Sequence, residues 1–279
     1  FQDLSYKLNF VTDDAGIFIF FGVGGISTIE VFYEDRKDGD WSFGRNNLNF
    51  KFGSGMGAAG ISHFFPLNNT SYLKTVLALT GTMSSARADS AFTEVETIYY
   101  GDNSNEIRYA FTTKYVKKFN AKNSFIGGIN IDMFDVHYED SVLLQDNSYF
   151  FLSEVNDELM AVIGAYAQFK HRFTNKLSVT GGIHNQFFTL NGSNSPEPRI
   201  GLKWEINPKH TFSAGAGIHS QLQPRLFYFQ KTVIDDVDHF TNRELEFSKS
   251  DQIVLSYDWL INKNLRFKLE TYYQYLNNI

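Results

Sequence analysis

This sequence predicts an all-β chain: about twelve antiparallel strands forming the wall of a transmembrane β-barrel. Three observations lead there. The first is composition, because 28 Phe and 15 Tyr bring the aromatics to 16% while Pro is only 5 in 279 residues, and strand interiors favour aromatic and β-branched side chains and exclude Pro. The second is a period-two alternation of apolar and polar residues over long segments. The third is punctuation by six short turns, each entered through an aromatic residue: Phe10 before 12–15, Phe65 before 66–69, Phe119 before 120–123, Phe173 before 174–176, Trp204 before 207–210 and Trp259 before 262–264. Tight Asn/Asp/Gly/Pro turns join hairpins. An aromatic at the same end of every hairpin predicts a belt at one membrane interface.

In chain order, the first four strands are expected at 2–11, 16–26, 44–64 and 72–84. The fifth rests on Ile107, Tyr109, Phe111, Thr113 and Tyr115 facing away from Arg108, Thr112, Lys114 and Lys118. Strands at 124–135, 158–173 and 177–190 follow. The ninth sets Ile200, Leu202, Trp204 and Ile206 against Arg199, Gly201, Lys203 and Glu205; the tenth sets Phe212, Ala214, Ala216 and Ile218 against Ser213, Gly215, Gly217 and His219. In the eleventh, Ile253, Leu255, Tyr257 and Trp259 oppose Gln252, Ser256 and Asp258. The twelfth alternates Leu265, Phe267, Leu269, Thr271, Tyr273 and Tyr275 with Arg266, Lys268, Glu270, Tyr272 and Gln274. Most of these segments exceed the ~5–6 residues of globular strands and suit the ~9–11 of a tilted membrane strand. The other connections, 27–42, 86–105, 136–157, 191–198 and 222–250, are long and rich in charge, Asn, Ser and Gly. Short turns at one end and long loops at the other is the asymmetry of bacterial outer-membrane barrels. Alternation alone also fits a soluble sandwich or a ligand-binding barrel; strand length, loop asymmetry and the belt favour the membrane.

Charge excludes one class of function. With 25 basic and 31 acidic residues the net charge is −6, and no polybasic run offers a surface for nucleic acid. The absence of Cys removes disulfides, thiolate catalysis and Cys-ligated zinc. No apolar run approaches the ~18–20 residues of a transmembrane helix; the strongest, Ile17 to Val23, is ended by Gly22, Gly24 and Gly25. The first residues lack Met, a basic segment and an apolar segment, so the expectation is a mature chain or a fragment.

Local motifs carry little chemistry. Gly55, Gly57 and Gly60 satisfy GxGxxG, but that dinucleotide fingerprint needs a strand before it and a helix after it, and here a further strand follows. Small residues that thin a strand wall are the stronger reading. The seven His show no metal-ligand spacing. Asp135, His137, Glu139 and Asp140, and likewise Asp235, Asp236, Asp238 and His239, are acidic groups in expected loops, where carboxylate oxygens could hold a cation; solvated loops are the simpler reading. No GxSxG elbow and no Ser–His–Asp order is present. No catalytic, cofactor or metal site is therefore expected. Arg108, Lys114, Asp132, Arg199, Lys203, Glu205, Asp258, Arg266, Lys268 and Glu270 would be costly toward lipid, which makes them lumen residues, with internal ion pairs of mixed sign.

A resemblance adds to this. Pro198-Arg-Ile-Gly-Leu202, Asn207-Pro-Lys-His210 and Ser213 to Pro224, together with Phe247-Ser-Lys-Ser250 leading through Tyr257 and Asn264-Leu-Arg266 to Glu270-Thr-Tyr-Tyr-Gln274, resemble the barrel of TonB-dependent outer-membrane receptors of the Bacteroidota type. The likeness covers about the last 80 residues. It implies a barrel of about 22 strands around an N-terminal plug, importing a scarce nutrient with energy passed through TonB, and residues 1–279 as a partial barrel without plug, signal peptide or C-terminal strands. The implied partners are outer-membrane lipid, the protein's own plug, TonB through it, and a small or oligomeric nutrient. Within the longest loop, Arg225, Phe227, Tyr228 and Phe229 are the expected surface contact region, or an extension of the outer girdle. The alternatives are a stand-alone twelve-stranded pore, a barrel enzyme or a soluble ligand-binding barrel.

Overall fold

Twelve segments do pair into one antiparallel sheet that follows the chain. The structure is a computed structural model and describes residues 1–35, 48–91, 97–144, 148–235 and 237–278. Its strands are β1 (Gln2–Thr12), β2 (Gly16–Val31), β3 (Leu48–Asn68), β4 (Ser71–Ser90), β5 (Ile98–Lys118), β6 (Asn123–Leu143), β7 (Tyr149–Arg172), β8 (Leu177–Phe188), β9 (Asn194–Asn207), β10 (His210–Gln221), β13 (Ser248–Asn262) and β14 (Leu265–Asn277). A separate hairpin, β11 (Lys231–Ile234) with β12 (Val237–Phe240), stands between β10 and β13. Among the described residues no helix is long and apolar enough to cross a membrane.

Six short turns close the hairpins at the expected end of the sheet, the second of them tighter than expected at 69–70, and one device closes them. At the end of each first strand a Thr or Asn side-chain oxygen accepts backbone N–H groups two or three residues on: Thr12 from Ala15, Asn68 from Thr70, Asn120 from Lys122 and Asn123, Thr174 from Lys176 and Leu177, Asn207 from Lys209 and His210, and Asn262 from Asn264. These side chains imitate a backbone turn. Pro66, expected inside its turn, instead lies in β3 next to a register shift between Pro66 and Asn68. A bulge is where a strand tolerates a missing donor.

The opposite end departs from expectation. Of the segments read as loops, 86–105 and 136–157 are largely ladder and 27–42 begins as ladder, since β2 continues to Val31, β4 to Ser90 and β6 to Leu143, while β5 begins at Ile98 and β7 at Tyr149. Strands of 20 to 24 residues result. A polar residue ends a membrane-facing surface but not a ladder, because a strand that leaves the bilayer keeps its paired backbone with water on both faces. The expected strand start at 44–47, the remaining loop residues 36–43, 92–96 and 145–147, and Asp236 lie outside the described residues.

The registers sort the side chains into two faces. One carries the six turn-leading aromatics Phe10, Phe65, Phe119, Phe173, Trp204 and Trp259 with Leu79, Tyr109, Ile163, Ile200 and Leu269. The other carries Glu106, Arg108, Asp132, His184, Arg199, Lys203 and Asp258. Arg225, four residues beyond β10, reaches Glu106 on β5. Five strand intervals span about 24 Å along a flat sheet, more than four residues and one side chain bridge comfortably. The polar face is thus concave, and it faces the interior.

The same registers settle two motifs. Gly55 to Gly60 sit in mid-strand, flanked by ladder and not by a helix, so the dinucleotide reading is excluded. Gly24, Gly57 and Gly81 are Cα partners across three strands, and a Cβ on Gly60 would stand 2.5 Å from the Leu77 carbonyl oxygen. Close backbone approach is the reason for glycine there. Asp135, His137, Glu139 and Asp140 belong to β6, not to a loop. Alternation points Asp135, His137 and Glu139 to one face and Asp140 to the other, and no metal-ligating cluster occurs among the described residues.

Candidate functional site

The segment from Leu222 to Phe247 does not simply extend outward as a loop; its two ends fold back over the concave face, with the exposed β11–β12 hairpin between them. After Pro224 a short 3-10 turn, Arg225–Phe229, presents three side chains to the wall. The Arg225 guanidinium donates twice to the Glu106 carboxylate, at 2.6 Å from Nε and 2.6 Å from Nη2. The Tyr138 hydroxyl donates to the same carboxylate at 3.0 Å, and the guanidinium lies 4.3 Å above the Phe134 ring. Such a bidentate pair fixes orientation as well as distance.

Beside it, Tyr228 and Phe229 are buried with Phe247 against Phe134, Val136, Val155, Met160 and Phe188. Tyr228 meets Phe188 edge to face at 5.1 Å. The returning leg is tied down by Asn191, whose amide donates to the carbonyls of Arg243 at 3.1 Å and Leu245 at 2.8 Å. Looser ion pairs join Lys231 to Glu154 at 3.8 Å and Arg243 to Glu158 at 3.9 Å. The whole forms a strap across β5 to β8 with its own apolar core.

Of the four residues expected as a contact region, Arg225 is spent on Glu106, Tyr228 and Phe229 are interior, and Phe227 remains half exposed. Tyr228 and Phe229 are not part of an outer girdle, because they stand on the opposite face of the wall. Their partners had left a trace in the sequence: Phe134, Val136, Met160 and Phe188 occupy positions that alternation assigns to the polar face. Glu106, Asn191 and Phe247 carried no such signal.

Below the strap the interior wall is a lattice of ion pairs. Arg108 pairs with Asp132 at 2.7 Å, Lys203 with Glu205 at 2.8 Å, Lys268 with Glu270 at 2.8 Å, and Arg266 with Asp258 through two contacts. Arg199 pairs with Glu197. Among the ten expected lumen residues only Lys114 has no partner of opposite charge among the described residues, and Lys74 stands directly opposite it on β4.

Glu197 is the most enclosed charge, fully buried. It accepts from His184 Nδ1 at 3.0 Å, Gln186 Nε2 at 2.8 Å and the Ser220 N–H at 3.1 Å, and also from the Ser220 hydroxyl and Arg199. The β9–β10 ladder stops at Arg199 opposite Gly217, so the carboxylate takes the Ser220 N–H that would otherwise seek a carbonyl. Burying a carboxylate is tolerable only with this degree of hydrogen bonding.

Beyond the apolar band, where β5 and β6 project past it, Asp102 and Asp140 face each other directly. Burial raises both above the ordinary carboxylate value, and for Asp102 the Asp140 charge adds to it. The Tyr100 hydroxyl is also raised, by burial first and by these two carboxylates.

No family model matches the sequence, and no curated protein matches it. Solved structures do match in fold. The outer membrane transporter YddB of Escherichia coli superposes with a TM-score of 0.67 at 9% identity, over 96% of this chain and 39% of that one. The FrpB iron transporter of Neisseria meningitidis gives 0.63 at 13%, over 98% and 44%. The RagAB peptide transporter gives 0.66 at 12%, over 99% and 40%. The fold is therefore that of an outer-membrane transporter barrel wall, and the chain spans about two fifths of the length of the transporters it matches.

Proposed function

We propose that this chain is barrel wall of an outer-membrane receptor that imports a scarce nutrient, drawing energy through TonB and enclosing a plug. One observation carries the reading: the six turn-leading aromatics all lie on the face opposite a concave, ion-paired surface. An aromatic girdle with a polar interior is what a lipid-embedded barrel requires. The names of the matched structures, transporters of iron and of peptides among them, support import as the activity and leave the nutrient open. In this reading Arg225, Tyr228 and Phe229 anchor the strap, and Phe227 is the strap residue that meets the nutrient.

Uptake by the source organism tests it. The full-length protein should fractionate with the outer membrane, and deleting its gene should abolish growth on one limiting nutrient, as disruption of TonB does. Uptake that persists without TonB, or ion conductance by the purified protein alone, would favour the stand-alone pore.

A further inference from the structure

We propose that the interior wall carries a binding recess for a small anionic solute, one bearing a carboxylate or phosphate group, between β7, β8 and β9. The inference rests on the wall reading only in taking the concave face as the lumen. The recess measures about 420 Å³ and is lined by Tyr166, Gln168, Thr180, His184 and Arg199 over Gly182 and Gly201. All these side chains belong to the concave face. Its floor is open because of glycine: a Cβ on Gly201 would find no atom nearer than 3.9 Å. A space of this size suits a small molecule, and is more than one acidic side chain from another segment would fill.

The chemistry of the lining is donor chemistry. Arg199 offers a guanidinium, Gln168 an amide, and Tyr166 and Thr180 hydroxyls. The nearest carboxylate, Glu197, is fully buried and accepts from five donors, so it holds His184 and Arg199 in place and has no capacity left for a ligand. Arg199 also matches its charge. Two cations then remain over. Lys170 shares the face, with Thr180 as its Cα partner, and has no carboxylate partner among the described residues. Lys114 lies across Gly128 from Tyr166, and the Tyr166 hydroxyl leans over that glycine, where a Cβ would come within 2.7 Å of it. A recess with surplus cations, fixed donors and no unpaired carboxylate among its described lining residues attracts anions.

The test is calorimetric titration of the full-length protein in detergent at low ionic strength, with glutarate and inorganic phosphate as probes and glucose as the neutral control. Saturable binding of at least one anion is expected, weakened about tenfold by Lys170→Gln and by Arg199→Gln and abolished by both together, since each removes one charge-assisted contact. Lys209→Gln, in a turn, should leave it unchanged. Lys170→Gln removes no hydrogen-bond or ion-pair partner of any group among the described residues, so its loss of binding reports on the recess and not on folding. Absence of saturable anion binding, equal binding of glucose, or an undiminished double variant overturns the recess; an acidic segment of the same protein already seated there would show as the first of these. A protein that assembles in the outer membrane yet binds no anion loses the recess alone, whereas one recovered in buffer without detergent loses the wall reading and the recess with it.

Discussion

Glu106 and Glu197 show what a carboxylate does when its donors come from distant parts of the chain. Glu106 receives Arg225 from 119 residues away and thereby pins a strap whose apolar core is otherwise small. Truncating Arg225 to Ala leaves Glu106 with Tyr138 alone and frees the turn above Phe134. A loss of about 2 kcal/mol is expected for a part-buried, hydrogen-bonded ion pair broken on one side. The measurement is limited proteolysis of the protein in detergent, which should open a cleavage site between Leu222 and Phe247 while β1 to β10 stay protected; an unchanged digest would separate the strap's order from this pair. Glu197→Ala is more severe, because Gln186, His184, Arg199 and Ser220 all lose an acceptor inside the wall. About 3 kcal/mol or more should go, read as a lowered denaturation midpoint in urea. Neither role was legible in the sequence, since a carboxylate in an alternating strand looks the same whether its partner is water, a neighbour or a segment five strands away.

At the scale of elements, the turns were legible because their chemistry is local. An Asn or Thr whose oxygen accepts an N–H two or three residues on needs nothing from the rest of the fold. Asn120→Ala removes the acceptor for Lys122 N–H, Asn123 N–H and the Asn123 amide and should cost about 1 kcal/mol, while Asn120→Asp keeps the acceptor and most of the stability. Equal destabilisation by both in urea titration would mean the side chain is not what closes the turn. Strand ends at the other rim were not legible, because polar residues there mark the limit of the bilayer and not the limit of pairing. That projecting ladder places Asp102 opposite Asp140. Both are raised in the folded state, so folding favours their protonated forms: the pair weakens the fold near neutral pH, and the penalty disappears as pH falls below the ordinary carboxylate value. Asp140→Asn should therefore raise Tm by about 2 °C at pH 7 for a partly buried like-charge contact, and the advantage should vanish below about pH 4, where the ordinary carboxylate titrates.

For the molecule as a whole, the two faces of the sheet have to meet different solvents, and adjacent residues can be made to report which. Leu79 and Thr80 are neighbours on β4; Leu79 is exposed on the aromatic-belted face beside Tyr109, and Thr80 faces Arg108 across the ladder to β5. Alternation made this assignment legible from the sequence, yet the inward apolar positions Phe134, Val136 and Phe188 broke the pattern for a reason only the folded strap supplies. Arginine at position 79 would put a charge into hydrocarbon, at a cost of about 2–4 kcal/mol near the bilayer midplane. Arginine at position 80 would enter a hydrated interior already furnished with ion pairs and should cost less than about 1 kcal/mol. Leu79→Arg is thus expected to lower the yield of folded protein in the outer membrane and its urea midpoint in lipid bilayers, while Thr80→Arg stays near the parent. In a soluble sandwich, by contrast, the costs would follow burial alone, and exposed position 79 would accept the charge freely. Equal tolerance at the two positions, or a larger penalty at 80, would remove the bilayer from the account of this fold.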